Sequence, residues 1–115
     1  MRRRGLMTSM ADDVVVTNNP DRKRYEARLG DEMAGFAAYR LSPGVIAFTH
    51  TEVEDRFEGR GVGSALARFA LDDVRATGGR EVLPLCPFIE AWIERHPDYR
   101  SLVRVAPDDG TAPRV

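Results

Sequence analysis

The 115-residue sequence predicts an α+β fold, three-layer and α/β/α-like in outline, built on a mixed, mostly antiparallel sheet. Three observations predict it. Short segments of alternating apolar and polar residues, parted by tight-turn signals, fill the first half of the chain. A glycine-rich junction at residues 56–64 then opens a stretch with helical spacing. A short apolar strand and a second, shorter helical segment complete the pattern. A chain of this length holds one core, so an active site must share residues with it.

Residues 1–12 read as a flexible N-terminal tail, 13–105 as the folded domain and 106–115 as a flexible C-terminal tail, because both ends lack a useful apolar period. A strand starts at 14–16, a second covers 24–29, and Gly30-Asp31 turns the chain into a third at 33–41. Ser42-Pro43-Gly44 turns it again into 45–53, completing an antiparallel meander. Along 45–53, alternation sets Ile46, Phe48, His50 and Glu52 on one face and Ala47, Thr49, Thr51 and Val53 on the other.

Residues 60–76 have helix spacing, with Val62, Ala65, Leu66, Phe69 and Ala70 as the apolar face and Arg68, Asp72 and Arg75 toward water. Gly78-Gly79 ends that helix. Residues 81–85 are too few for another helix and read as a buried strand, which Pro87 stops. Residues 88–95 form a short C-terminal helix turning Phe88, Trp92 and Ile89 to the sheet. After the break at His96-Pro97-Asp98, residues 99–105 return as a final strand.

Composition narrows the function. Seventeen basic and 18 acidic side chains give a net charge of −1, without the basic excess of a nucleic-acid binder. Arg2, Arg3 and Arg4 read as a solubilising tail. One cysteine excludes an internal disulfide, and two histidines with no partner at ligand spacing argue against a metal site. No apolar run approaches the ~20 residues of a bilayer span, and residues 1–10 lack the hydrophobic segment of a secretion signal. The expectation is a cytoplasmic protein with no membrane and no nucleic-acid partner.

The glycine junction carries most of the functional information. Glycine removes the Cβ that would block an anion and permits the turn the backbone must make. The first helical N–H groups lack intrahelical acceptors and point outward. A strand before and a helix after it make a phosphate-binding helix start. The glycines come too late in the chain for a dinucleotide fold, and the GxxxxGK[ST] of a P-loop is missing.

Residues 45–66 resemble the GCN5-related N-acetyltransferases. That family's acetyl-CoA signature is Arg or Gln, two residues, Gly, one residue, then Gly or Ala, and Arg56, Gly59 and Gly61 match it. Val62, Gly63 and Leu66 continue the helix pattern. Phe48-Thr49-His50-Thr51-Glu52-Val53 and Leu83-Pro84-Leu85-Cys86-Pro87-Phe88 resemble the compact acetyltransferase subfamily, and the match covers roughly residues 13–100. The resemblance implies acetyl-CoA as cosubstrate, its diphosphate on the loop and helix start: Arg56, Phe57, Glu58, Gly59, Arg60, Gly61, Val62, Gly63 and Ser64. The pantetheine arm would run between the strand ending near Val53 and the strand ending near Cys86, touching backbone groups at Val53. The implied activity is acetyl transfer to a primary amine, on a small molecule or a protein, by a monomer or homodimer.

The chain departs from larger relatives in having only about five residues between Asn18 and the second strand, where the family commonly has one or two helices walling the acceptor pocket. A more open acceptor side follows. Larger relatives also place a tyrosine acid on the last helix; here that helix carries Trp92, Ile93 and Glu94, and Tyr99 lies after the break.

Amide transfer needs a neutral amine, a proton acceptor and stabilisation of developing oxyanion charge. His50 and Glu52, co-facial near a strand end, form a candidate acid-base pair, while a lone histidine among threonines also reads as pocket lining. Cys86 sits where the resemblance brings the thioester. It reads as an acetyl-accepting nucleophile if a thiolate is populated, or as a small buried hydrophobe. Glu54, Asp55 and Glu58 make an acidic rim able to attract a cationic amine. Two rival readings remain: a CoA-binding regulator without turnover, and an interaction domain that binds no nucleotide.

Overall fold

The computed structural model describes residues 14–104; the expected tails lie outside them. One sheet has the strand order β1-β2-β3-β4-β5, from β1 (Val14–Asn19), β2 (Arg24–Leu29), β3 (Glu32–Ser42), β4 (Val45–Val53) and β5 (Glu81–Pro84). Two α-helices, α1 (Val62–Thr77) and α2 (Pro87–Arg95), flank it, with short 3₁₀ turns at Asp55–Phe57 and Pro97–Leu102. The first three pairings are antiparallel and β4 pairs with β5 in parallel. Tight turns suffice for the antiparallel pairs, whereas the parallel pair requires a crossover, which α1 supplies. The sheet is therefore mixed and mostly antiparallel, as the sequence predicts. No helix among the described residues is long and apolar enough to cross a membrane.

The core lies between α1 and the sheet. Leu66, Ala67, Ala70, Leu71 and Val74 of α1 are buried, an i, i+4 pattern whose small alanines let the helix approach closely. It meets Tyr25 and Ala27 of β2, Ala37 and Tyr39 of β3, and Ile46 and Phe48 of β4, all buried. Phe69 departs from the expected stripe: it is 41% exposed, at the margin of the core with its ring edge against Tyr25. Phe88 departs similarly at 37% exposed, and Ile89, Trp92 and Ile93 take the buried face of α2.

The expected final strand at 99–105 is instead the 3₁₀ turn Pro97–Leu102 followed by a single parallel bridge between Val103 and Val82. Pro97 presets a turn conformation, and Tyr99 is held by its ring against Trp92 and by donating its O–H to Asp72 Oδ1 of α1 at 2.7 Å.

The single alternation expected along β4 is also broken. Tyr39 pairs with Phe48 but Ala38 pairs with His50, leaving Thr49 as an extra residue in a β-bulge. Phe48 faces the core beside Tyr25 and Tyr39, whereas His50 lies on the opposite face against Phe36. His50 and Glu52 thus share a face with each other and not with Ile46 and Phe48.

Gly35 fixes how closely β3 meets the end of β4. A Cβ there would lie 2.4 Å from the Glu52 carbonyl oxygen and 3.3 Å from Val62 Cγ1, so only glycine admits both the strand and the first residue of α1. Gly35→Ala is expected to destabilise the fold by about 1–3 kcal/mol, the range for overpacking a filled site. A lowered thermal midpoint in circular dichroism checks this, and an unchanged midpoint contradicts it.

Candidate functional site

The segment between β4 and α1 is shaped by two anchors. Phe57 is buried, and the Arg60 N–H donates to the Phe57 carbonyl at 3.2 Å, closing the turn. Gly59 (φ +81°) and Gly61 (φ +80°) both occupy the left-handed region, and a Cβ at Gly59 would point into open space. Gly61 is the N-cap of α1 and makes no side-chain capping bond. Its carbonyl accepts from Ala65 N–H, so the N–H groups of Val62, Gly63 and Ser64 precede the first intrahelical bond. These unpaired donors add to the positive end of the α1 dipole. Arg60 Nε is buried without a hydrogen-bond partner among the described residues, a further orphaned donor in the same loop.

A cavity of about 390 Å³ opens over this helix start. Its floor is Gly59, Gly61, Val62, Gly63 and Ser64, and Val53, Phe57 and Glu58 line the β4 side. The opposing wall comes from α2 and its C-cap: Phe88, Trp92, Arg95 and His96. Gly63 serves this wall, since a Cβ there would meet the Phe88 ring at 2.8 Å. Trp92 donates its indole N–H to Ser64 Oγ at 2.9 Å and stacks on the His96 ring with centroids 3.8 Å apart, tying α2 to the start of α1. The size and the row of outward N–H donors suit an anion joined to an apolar arm.

Beyond the loop, β4 and β5 part. The parallel ladder ends at Phe48 and Pro84, and its last bond runs from Cys86 N–H to the Phe48 carbonyl at 2.9 Å. Glu54 N–H donates to Ala34 O on β3, so alternation turns the backbone groups of Thr51 and Val53 into the gap. The bulge at Thr49 sets this phase. Thr51 Oγ1 and Cys86 Sγ meet across the gap at 3.3 Å, and Cys86 is only 3% exposed. On the opposite sheet face His50 Nε2 and Glu52 Oε2 lie 3.2 Å apart with exposed side chains. The site therefore has two sides: a thiol and hydroxyl within the gap, and a solvent-facing imidazole–carboxylate pair.

A family described as GCN5-related N-acetyl-transferase matches residues 24–102, more than half of the chain. The chain belongs to that family. The acetyltransferase fold is also that of a GCN5-like protein from Staphylococcus aureus, whose solution structure superposes with a TM-score of 0.62 at 20% identity, over 80% of this chain and 89% of that one. No curated protein matches.

Within the acetyltransferase fold, eight of the expected loop residues line the cavity: Val53, Phe57, Glu58, Gly59, Gly61, Val62, Gly63 and Ser64. Arg56 turns away, pairing with Glu32 at 3.0 Å with its guanidinium over the Phe57 ring. Arg60 does not line the cavity. Tyr99 is committed to Asp72, and that hydrogen bond, followed by burial, raises its pKa so that it stays protonated. The wall of Phe88, Trp92, Arg95 and His96 is what sequence reasoning missed. Phe88 and Trp92 read as core packing and His96 as part of a break, because nothing local revealed that α2 lies against the start of α1.

Proposed function

We propose that this chain is an acetyl-CoA-dependent N-acetyltransferase acting on a primary amine by direct attack. The observation that carries the reading is the glycine-lined helix start, whose cavity includes Val53 at the end of β4, the strand on which Thr51 meets Cys86 across the gap to β5. When bound, acetyl-CoA supplies a thioester carbonyl that the amine nitrogen attacks, the C–N bond forming as C–S breaks and the CoA thiolate leaves.

The N–H groups of Val62, Gly63 and Ser64 hold the diphosphate, and Arg95 adds a positive charge on the opposite wall. Backbone groups of Thr51 and Val53 orient the arm, and an N–H among them stabilises developing oxyanion charge. Glu52, polarised by His50, accepts the proton of the incoming ammonium on the solvent-facing side. Glu54, Asp55 and Glu58 favour the approach of a cation. Cys86 borders the acetyl group without forming a covalent bond to it.

Release of CoA thiol in the presence of a panel of small and peptide amines tests the activity. Binding without release would make the protein a CoA-binding regulator, and absence of both would leave an interaction domain. Cys86→Ser is expected to bind acetyl-CoA and keep measurable turnover. Rapid-quench mass spectrometry supplies the opposing result: an acetyl adduct on Cys86 of the parent, discharged by amine at least as fast as turnover, would make Cys86 the nucleophile.

A further inference from the structure

Toward the other end of α1, whose 16 residues span about 24 Å at 1.5 Å per residue, a second cavity of about 250 Å³ is bounded by β1, β2, β3, β4, the last turns of α1 and the chain following it. We infer that this cavity is a binding site for a small α-amino acid, held as its zwitterion between Asp73 and Arg80.

Two opposite charges line the cavity without neutralising each other. Asp73 and Arg80 both face it, yet they form no ion pair, and among the described residues Arg80 has neither an ion-pair nor a side-chain hydrogen-bond partner. Asp73 accepts the Tyr25 O–H at Oδ2 at 2.7 Å, which fixes the carboxylate and leaves Oδ1 for another donor. The Tyr39 O–H donates to Asn18 Oδ1 at 2.7 Å, so the second hydroxyl is fixed as well. Burial and the bond to Asp73 raise the Tyr25 pKa, which keeps this hydroxyl a donor toward Asp73.

The chemistry of each end follows. Asp73 lies beside the C-terminal turn of α1, where Val74 and Thr77 also line the cavity and the last helical carbonyls add partial negative charge. That end selects an ammonium group. Arg80, past Gly78-Gly79, offers a planar fork of donors that matches a carboxylate. Between the two charges, Ile46, Leu41 and Val74 give an apolar wall for an aliphatic side chain. At about 30 Å³ per water-sized group the volume takes roughly eight non-hydrogen atoms, close to the size of valine or leucine and far below that of acetyl-CoA.

The test is amide NMR titration of the ¹⁵N-labelled protein with L-leucine, with isopentylamine and 4-methylpentanoate as probes carrying one charge each. Leucine is expected to shift amides of Asn18, Tyr25, Tyr39, Thr77 and Arg80, with each single-charge probe weaker by about tenfold or more. Asp73→Asn and Arg80→Gln are each expected to remove the leucine response while acetyl-CoA still shifts the glycine loop, which also reports that the variants are folded. No leucine shift in the millimolar range, equal response to a single-charge probe, or an unchanged response in both variants would overturn the assignment.

Discussion

Glu52→Gln is expected to lower turnover by about 10² to 10⁴, the usual contribution of a positioned general base, while acetyl-CoA affinity changes little. The glutamine preserves size and can still bond to His50, which lies 3.2 Å away. What it removes is the negative charge and the site for the proton. Both side chains are exposed on the sheet face opposite the core, so the substitution leaves packing intact. The loss should appear in kcat at saturating acetyl-CoA and be steepest at low pH, where the acceptor amine is most fully protonated. His50→Gln should alter the pH profile through the same pair. Parental rates for both variants from pH 6 to 9 would mean that water or the acceptor itself carries the proton.

Gly61→Val is expected to weaken acetyl-CoA binding by about one to two orders of magnitude, since forcing a branched residue to positive φ costs about 1–3 kcal/mol. Gly61 holds φ +80° as the N-cap of α1 and lines the cavity proposed to take the diphosphate. Relaxation of the strain would reorient the N–H groups that follow. Gly44→Val provides the control. Gly44 has φ +72° and open surroundings, but lies in the β3–β4 turn and lines none of the cavity. Calorimetric titration should show weakened binding for the Gly61 variant alone; equal binding by both variants and the parent would remove this loop from the site.

The elements that depend on local chemistry were legible in the sequence. The meander, its turns and the glycine junction follow from residue type and spacing over fewer than a dozen positions, and each formed close to where those patterns place it. What escaped depended on contacts made elsewhere. The bulge at Thr49 arises from pairing with β3 and has no signature in β4 itself, yet it separates His50 from Phe48 and turns Thr51 toward Cys86. The turn at Tyr99 depends on Asp72, 27 residues earlier. Arg56 fits the family signature as a residue type, but its charge goes to Glu32, a partner that only the β3–β4 arrangement brings near. Trp92 was visible as a large buried aromatic; its second role, closing the cavity through Ser64, was not.

Acetyl-CoA is expected to lie across the start of α1 with its thioester in the gap between β4 and β5. Amide NMR mapping of the ¹⁵N-labelled parent titrated with acetyl-CoA tests it most directly. Saturable shifts are expected at Gly59, Gly61, Val62, Gly63 and Ser64, joined by shifts at Thr51, Val53 and Cys86. The same titration with a diphosphate-bearing nucleotide that lacks the pantetheine arm should move the first group and not the second. Absence of any saturable shift, or shifts that spare both the helix start and the gap, would contradict it.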